Sequence, residues 1–134
     1  MFAPHRSHAH AYSAVHIETG VHGADPHQLI TLLLDGALSA IATAFNAIER
    51  GDMPAKGRAI SRAVGIVDEG LRAALDLKSG GTVASTLHNL YSCLLVRLTQ
   101  ANLNNDAAAL RECSALLTPL RNAWLDISPN RLAA

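Results

Sequence analysis

The stretch from Asp25 to Gly51, DPHQLITLLLDGALSAIATAFNAIERG, restricts what this chain can fold into more than any other. It opens with helix-start chemistry. Asp25 is placed to cap, Pro26 takes the first helical position, and Gln28 is the third residue of a capping box. It closes at Gly51, which can adopt the left-handed turn that ends a helix. One long helix is expected in between, with an unusually wide apolar surface. Ile30, Leu34, Ala37, Ile41, Ala44 and Ile48 form one stripe at bundle spacing. Leu29, Leu33, Gly36, Ala40 and Ala47 form a second, turned from the first by roughly 100°. Leu32, Leu38 and Phe45 broaden the arc further. One stripe serves the protein's own core. The second needs another partner, either a further part of this chain or another protein.

The rest of the chain supplies three more amphipathic segments. Residues 1–24 are rich in His, Ser, Gly and Pro and read as a loose arm, with Tyr12, Val15 and Ile17 as its apolar anchors. After the turn Gly51-Asp52-Met53-Pro54, Asp52 caps a second helix whose face is Ile60, Ala63, Val64, Val67, Leu71, Ala74 and Leu75. Gly57, Gly65 and Gly70 interrupt it; close approach of a neighbouring helix and simple tolerance explain them equally well. Ser79-Gly80-Gly81 ends that helix, and Thr82 or Ser85 begins the third, with Leu87, Leu90, Tyr91, Leu94, Leu98 and Ala101 as its core stripe. Val83, Leu95 and Val96 widen that surface. Asn104-Asn105-Asp106 is the next turn, with Asp106 as cap. The fourth helix repeats in alternating steps of three and four, through Leu110, Cys113, Leu117, Leu120, Trp124 and Ile127. Leu110, Leu117, Leu120 and Trp124 are assigned to the core. Pro119 inside this helix cannot donate to the carbonyl of Ala115, which predicts a bend. Ser128-Pro129 stops the helix, and residues 129–134 are expected to fray. Four such helices with short connections predict an all-α, antiparallel up-down-up-down four-helix bundle over residues 25–128.

Composition removes several functions. Lys and Arg together number 11, as do Asp and Glu, so nothing electrostatic argues for nucleic acid or an anionic membrane surface. The apolar fraction is 49% with only 4% aromatic, so Ala and Leu carry it, a helix-forming composition. No uninterrupted apolar run approaches the ~18 residues of a spanning helix. The opening MFAPHRSHAH lacks the apolar centre of a signal peptide. Cys93 and Cys113 do not form a disulfide framework. A soluble cytoplasmic protein is expected. Bundle metal sites need inward Glu with Glu-x-x-His pairs, and none of Glu18, Glu49, Glu69 or Glu112 has a His three residues on. There is no phosphate-cradling loop, nucleophile elbow or Cys-x-x-Cys. His5, His8, His10, His16, His22 and His27 crowd the arm and read as solvated residues ahead of a metal tract. No enzyme, cofactor or metal is expected. The surplus apolar face on the first and third helices is the functional clue. It is buried within the bundle, covered in a homodimer, or open as a groove for a partner helix.

From Ala11 to Ile127 the chain resembles the flagellar secretion chaperone family FliS. Ala11-Tyr12 with Val15 is similar to the family's amino-terminal Ala-Tyr element, and Asp25-Pro26-His27-Gln28-Leu29 to the start of its first long helix. Leu33, Asp35 and Gly36 follow its Asp-Gly pattern, and Gly51 through Gly57 its next turn. Gly80-Gly81, Leu87, Leu90-Tyr91, Arg97-Leu98, Gln100 through Leu103 and Asn105-Asp106 resemble the third helix and its exit. Leu116-Leu117, Leu120-Arg121 and Ala123-Trp124 resemble the fourth. The chain departs from the family at Leu32, Leu34, Ser92-Cys93-Leu94, Val96 and Pro119; most of these swaps keep apolar character and change shape.

The resemblance implies a cytosolic export chaperone. Such a protein binds the carboxy-terminal segment of flagellin, prevents premature polymerisation and presents the subunit to the flagellar type III secretion apparatus. It also implies an arm that lies over the groove and yields to the client. On this reading the client-binding groove is expected at Leu29, Leu33, Leu34, Leu87, Leu90, Tyr91, Leu94 and Leu98, with Tyr12 as the arm's plug. The alternative is a homodimeric helical-bundle adaptor with no flagellin client.

Overall fold

A computed structural model describes residues 25–127, and among these the chain forms four helices and no strand. Helix α1 spans Pro26–Glu49. Helix α2 spans Met53–Gly65 and passes directly into a π-helical segment, Ile66–Arg72. Helices α3 and α4 span Gly81–Asn104 and Ala107–Asp126. The arm of residues 1–24, with Tyr12, and the carboxy-terminal residues 129–134 lie outside the described residues.

Three of the four helix starts are made by the expected aspartates. Asp25 accepts the Gln28 N–H at 2.8 Å, Asp52 that of Ala55 at 3.0 Å, and Asp106 that of Ala109 at 3.2 Å. Each satisfies one orphan donor of the first turn. The bond from Ala55 holds the Asp52 carboxyl below the ordinary carboxylate range, helped by the charge of Arg50. Gly51 ends α1 in the left-handed region at φ 74°. The third helix differs from expectation. Gly80 is its cap and no side chain bonds the first turn, so neither Thr82 nor Ser85 serves.

The second helix also ends earlier than the apolar spacing predicts. The Ala73 N–H reaches back five residues to the Asp68 carbonyl at 3.2 Å. A turn that takes an extra residue rotates everything after it out of register. Val67, Gly70 and Leu71 stay buried, whereas Ala74, which a continuous α-helix would carry on the same face, is exposed. Asp76 then closes the connection, accepting the backbone N–H groups of Lys78 and Ser79 at 3.1 Å each.

The helices pack as a ring in chain order, α1 against α2, α2 against α3, α3 against α4 and α4 against α1. Cross-links show that every neighbour runs antiparallel. Lys56 at the start of α2 bonds the Asn102 carbonyl (2.9 Å) and Asn105 Oδ1 (2.6 Å) at the end of α3. Arg72 meets Ser92 at 3.3 Å, and Arg97 pairs with Glu112 at 2.7 Å. Arg121 pairs with Asp35 at 2.8 Å. A Cβ on Gly36 would sit 3.3 Å from Ile66 Cδ1, so the absent side chain lets α1 approach the π-helical segment. Gly57 and Gly65 face open space, so tolerance explains these two.

Both apolar stripes of α1 are consumed by this ring. Leu34, Ala37, Ile41 and Ala44 of the first stripe are buried, and so are Leu33, Ala40 and Ala47 of the second. Gly36 and Ala40 of the second stripe border α2, while Asp35, Ile41 and Phe45 border α4. The partner that the second stripe requires is therefore this chain's own α2. The same richness gives one 18-residue window of α1 a mean hydropathy of 1.6, a length and composition that the core helix of a bundle shares with a membrane span. Here the helix is the one on which two neighbours pack.

Cys113 is fully buried, and burial pushes its thiol up to about 11 from 9.0; Tyr91 is likewise pushed up to about 12 from 10.0. Both groups stay protonated in the fold and ionise first in the unfolded chain. Their contribution to stability is therefore complete below pH about 9 and declines as pH rises toward about 12. Urea titrations should give a stability that falls above pH about 9 and falls less steeply in Cys113→Ala/Tyr91→Phe. A thiol reagent should label the exposed Cys93 at once and Cys113 only on unfolding. Two fast thiols in the native protein would contradict this packing.

Candidate partner-binding site

Among the described residues no group of His, Cys, Asp and Glu could hold a metal ion. What the molecule offers a partner is apolar surface, and its distribution is uneven. The exposed large apolar side chains among the described residues are Leu77, Val83, Val96, Leu103, Leu116 and Leu125; Leu77, Val83 and Leu125 lie at the end where α1 and α3 begin and α4 finishes, Leu116 at the middle of α4, and Val96 and Leu103 farther along α3. The antiparallel register set by Arg97 and Glu112 brings the first half of α3 alongside the last half of α4. In the other half of this seam Leu94, Leu98, Leu110, Cys113 and Leu117 are fully buried. Past Leu117 the seam opens. Leu87 and Leu90 on α3, and Leu120 and Trp124 on α4, are only half-buried against the core. No α4 residue after Pro119 is buried, although the helix runs on through the proline to Asp126.

Polar contacts hold that end of α4 in place of apolar burial. The Trp124 indole N–H donates to the His27 carbonyl at 3.0 Å, while His27 Nε2 lies 2.8 Å from the Trp124 carbonyl. Because that partner can only accept, Nε2 carries the proton and the imidazole tautomer is set. The two rings stack at 4.9 Å. With the Arg121–Asp35 pair, this reciprocal clasp ties the last two turns of α4 to the first turns of α1. Among the described residues, Arg97–Glu112 is the one ion pair that joins α4 to α3.

The expected groove residues separate into two groups. Leu33, Leu34, Tyr91, Leu94 and Leu98 are core residues, from 8% down to 0% exposed, and present no surface with the helices as they stand. Periodicity placed them on apolar stripes correctly, but the stripes face inward because each helix has two neighbours in the ring. Leu87 and Leu90 lie along the open seam. Leu29 is half-buried at the same end, on the helix diagonally across from α3, so it is not brought into that seam. Leu110 and Leu117 occupy the core as assigned, while Leu120 and Trp124 sit at its edge. Leu116 and Leu125 are exposed on α4 but fall outside its three-four repeat; their flanking position beside Leu117 and Trp124 is the signal the sequence offers. Tyr91 keeps one unusual feature: it is 3% exposed, and no described residue hydrogen-bonds its hydroxyl.

Among the described residues the chain is thus an all-α bundle whose α3–α4 seam is apolar and partly open. The family model described as "Flagellar protein FliS" matches residues 8–131. The chain is 49% identical over 119 residues to the flagellar secretion chaperone FliS of Salmonella typhimurium, covering 89% of this chain and 88% of that protein. It is 45% identical over 117 residues to the flagellar secretion chaperone FliSB of Pseudomonas aeruginosa, covering 87% and 92%. Against FliS of Escherichia coli K12 the figure is 38% over 122 residues, 90% of each. The chain belongs to the FliS family of flagellar secretion chaperones.

The unbonded phenol of Tyr91 gives a stability prediction. Tyr91→Phe removes no hydrogen bond and should leave the urea midpoint within about 1 kcal/mol of the parent or raise it. Leu94→Ala, one turn away and fully buried, should cost about 2–5 kcal/mol. A comparable loss in both variants would show that the Tyr91 hydroxyl is bonded.

Proposed function

We propose that this protein is a cytosolic export chaperone that binds the carboxy-terminal segment of flagellin, prevents its premature polymerisation and assists its delivery to the flagellar type III secretion apparatus. Family membership over residues 8–131 supports the export role. The observation that carries the binding site is the seam between α3 and α4, closed over half its length and open over the rest. A helical segment of the client laid between Val83, Leu87 and Leu90 on one side and Leu116 and Leu120 on the other would complete that half of the bundle. Each leucine newly buried contributes about 1.5–3 kcal/mol before the cost of ordering the tail. A tail that folds as it binds spends part of that free energy on its own ordering, which suits a chaperone that must later let go. No chemical step is involved. Tyr12 and the rest of residues 1–24 are proposed as an arm that occupies the seam until the client displaces it. Tyr91 borders the seam from the core, and its hydroxyl is free to bond a client that reaches it.

The other reading, a homodimeric adaptor that closes the seam with a second copy, rests on the same exposed residues and separates cleanly by experiment. Val83→Asp and Leu116→Asp alter exposed positions and should leave the melting temperature within a few degrees of the parent. Each should weaken binding of a flagellin carboxy-terminal peptide by tenfold or more in isothermal titration calorimetry. Deleting residues 1–20 should preserve helicity by circular dichroism and change that affinity. Unchanged affinity in both aspartate variants would remove the seam as the site. Conversion of a dimer to a monomer with no flagellin binding in the parent would favour the adaptor.

A further inference from the structure

At the opposite end of the molecule, a second surface stands apart from the seam. It is built on the carboxy-terminal half of α1. From Gly36 to Ile48 this helix carries no ionisable side chain. Its outward residues there are Ser39, Ala42, Thr43 and Asn46, all exposed and all small or uncharged. A groove runs along each flank of this ridge. Toward α2 an open groove of about 230 Å³ has Ala40, Ala55 and Ala59 as its apolar floor and Arg58 and Arg62 on its lip. Toward α4 a groove of about 250 Å³ lies over Ile41, Phe45 and Leu110, with Arg111 stacked on the Phe45 ring at 4.9 Å. Arg58 and Arg62 are one helical turn apart, so both side chains project over the same groove.

Its arginines distinguish this ridge from the rest of the described surface. The other described arginines are each paired with a carboxylate: Arg50 with Asp52, Arg72 with Asp68, Arg97 with Glu112 and Arg121 with Asp35. Arg58, Arg62 and Arg111 have no such pair. The acids within their reach are committed elsewhere. Asp52, whose charge Arg58 does feel, caps α2 and pairs with Arg50. Glu112, next to Arg111 in sequence, turns the other way to Arg97. Asp106 caps α4. Glu49, the first acid reached along α1, forms no ion pair with any of the three. In a chain of zero formal net charge, three unpaired arginines therefore flank one uncharged helix face.

We propose that this ridge is a docking surface for a second protein partner, an amphipathic helix that carries carboxylates on the face it presents. Small side chains at Ser39, Ala42 and Thr43 allow a helix to approach closely. The apolar floors of the two grooves receive the partner's alternate apolar side chains, and its carboxylates meet Arg58 and Arg62 on one flank and Arg111 on the other. A protein partner is favoured over nucleic acid because both grooves set their arginines beside apolar lining, Ala40, Ala55 and Ala59 on the α2 side and Ile41, Phe45 and Leu110 on the α4 side. The ridge and the α3–α4 seam lie at opposite ends of the bundle, so a client and this partner are held at once.

The test is a titration of the full-length protein with a designed alanine-based helical peptide that bears glutamates four residues apart, followed by backbone amide NMR. The same peptide with glutamine at those positions, and a short DNA duplex, are the controls. The expected shifts centre on Thr43, Asn46, Ala55 and Ser114. The glutamine peptide should bind at least tenfold more weakly, and Arg58→Glu/Arg62→Glu and Arg111→Glu should each lower affinity for the acidic peptide by a similar factor. Affinity for a flagellin carboxy-terminal peptide, measured alongside, should be unchanged in these variants. The proposal is overturned by an absence of shifts at millimolar peptide, by equal binding of the two peptides, or by shifts confined to the α3–α4 seam. Tighter binding of the duplex at the ridge overturns the choice of a protein partner. Loss of flagellin binding in the arginine variants overturns a separate second site while leaving flagellin binding itself established.

Discussion

A helix with two apolar stripes must lie between two neighbours, and this constraint on α1 determines the arrangement of the other three helices. With α2 on one flank and α4 on the other, Leu33, Leu34, Ala37, Ala40, Ile41, Ala44 and Ala47 are all withdrawn from water. The third helix then has only the position across the ring. It closes the core with Tyr91, Leu94, Leu98 and Ala101 against Leu110, Cys113 and Leu117 of α4. Alanine at four of the seven buried apolar positions of α1 keeps the interior narrow, which suits the short interaxial distances typical of bundles.

The ends of the ring are held by polar groups that the core cannot provide. At one end, buried Lys56 reaches the Asn102 carbonyl in the last turn of α3 and the side chain of Asn105, itself in the left-handed conformation at φ 51°. A cation there opposes the partial negative charge at the helix terminus. At the other end, the His27–Trp124 clasp and the Arg121–Asp35 pair hold α4 to α1 where no apolar side chain of α4 is buried. Apolar packing stops at Leu117 and polar attachment continues. That handover leaves Leu87 and Leu90 on α3 and Leu120 on α4 half-buried along the seam.

Much of this was legible in the residues, and the exceptions have physical causes. The limits of α1 followed from Asp25, Pro26 and Gly51, and the entries to α2 and α4 from Asp52 and Asp106, because capping is local chemistry. The early end of α2 was not legible, since a single turn with an i→i−5 bond at Ala73 leaves no compositional trace. Nor was the division between core and seam. Spacing identifies a stripe but not what covers it, so Leu33, Leu34, Tyr91, Leu94 and Leu98 could be grouped with Leu87 and Leu90 until the ring of four helices separated them. Two of the exposed apolar positions, Val83 and Leu116, were visible only as flanks of stronger patterns. The ordered run of family-like segments from Ala11 to Ile127 did indicate the family, because matches that are weak singly become specific in sequence.

The central claim is that the open half of the α3–α4 seam receives a helical segment of the client. Hydrogen–deuterium exchange of the protein with and without the flagellin carboxy-terminal segment addresses it most directly. The account predicts new amide protection on residues 83–90 of α3 and 116–125 of α4, with α1 and α2 little changed. Protection that falls instead on α1 and α2, or none at saturating client, would contradict it.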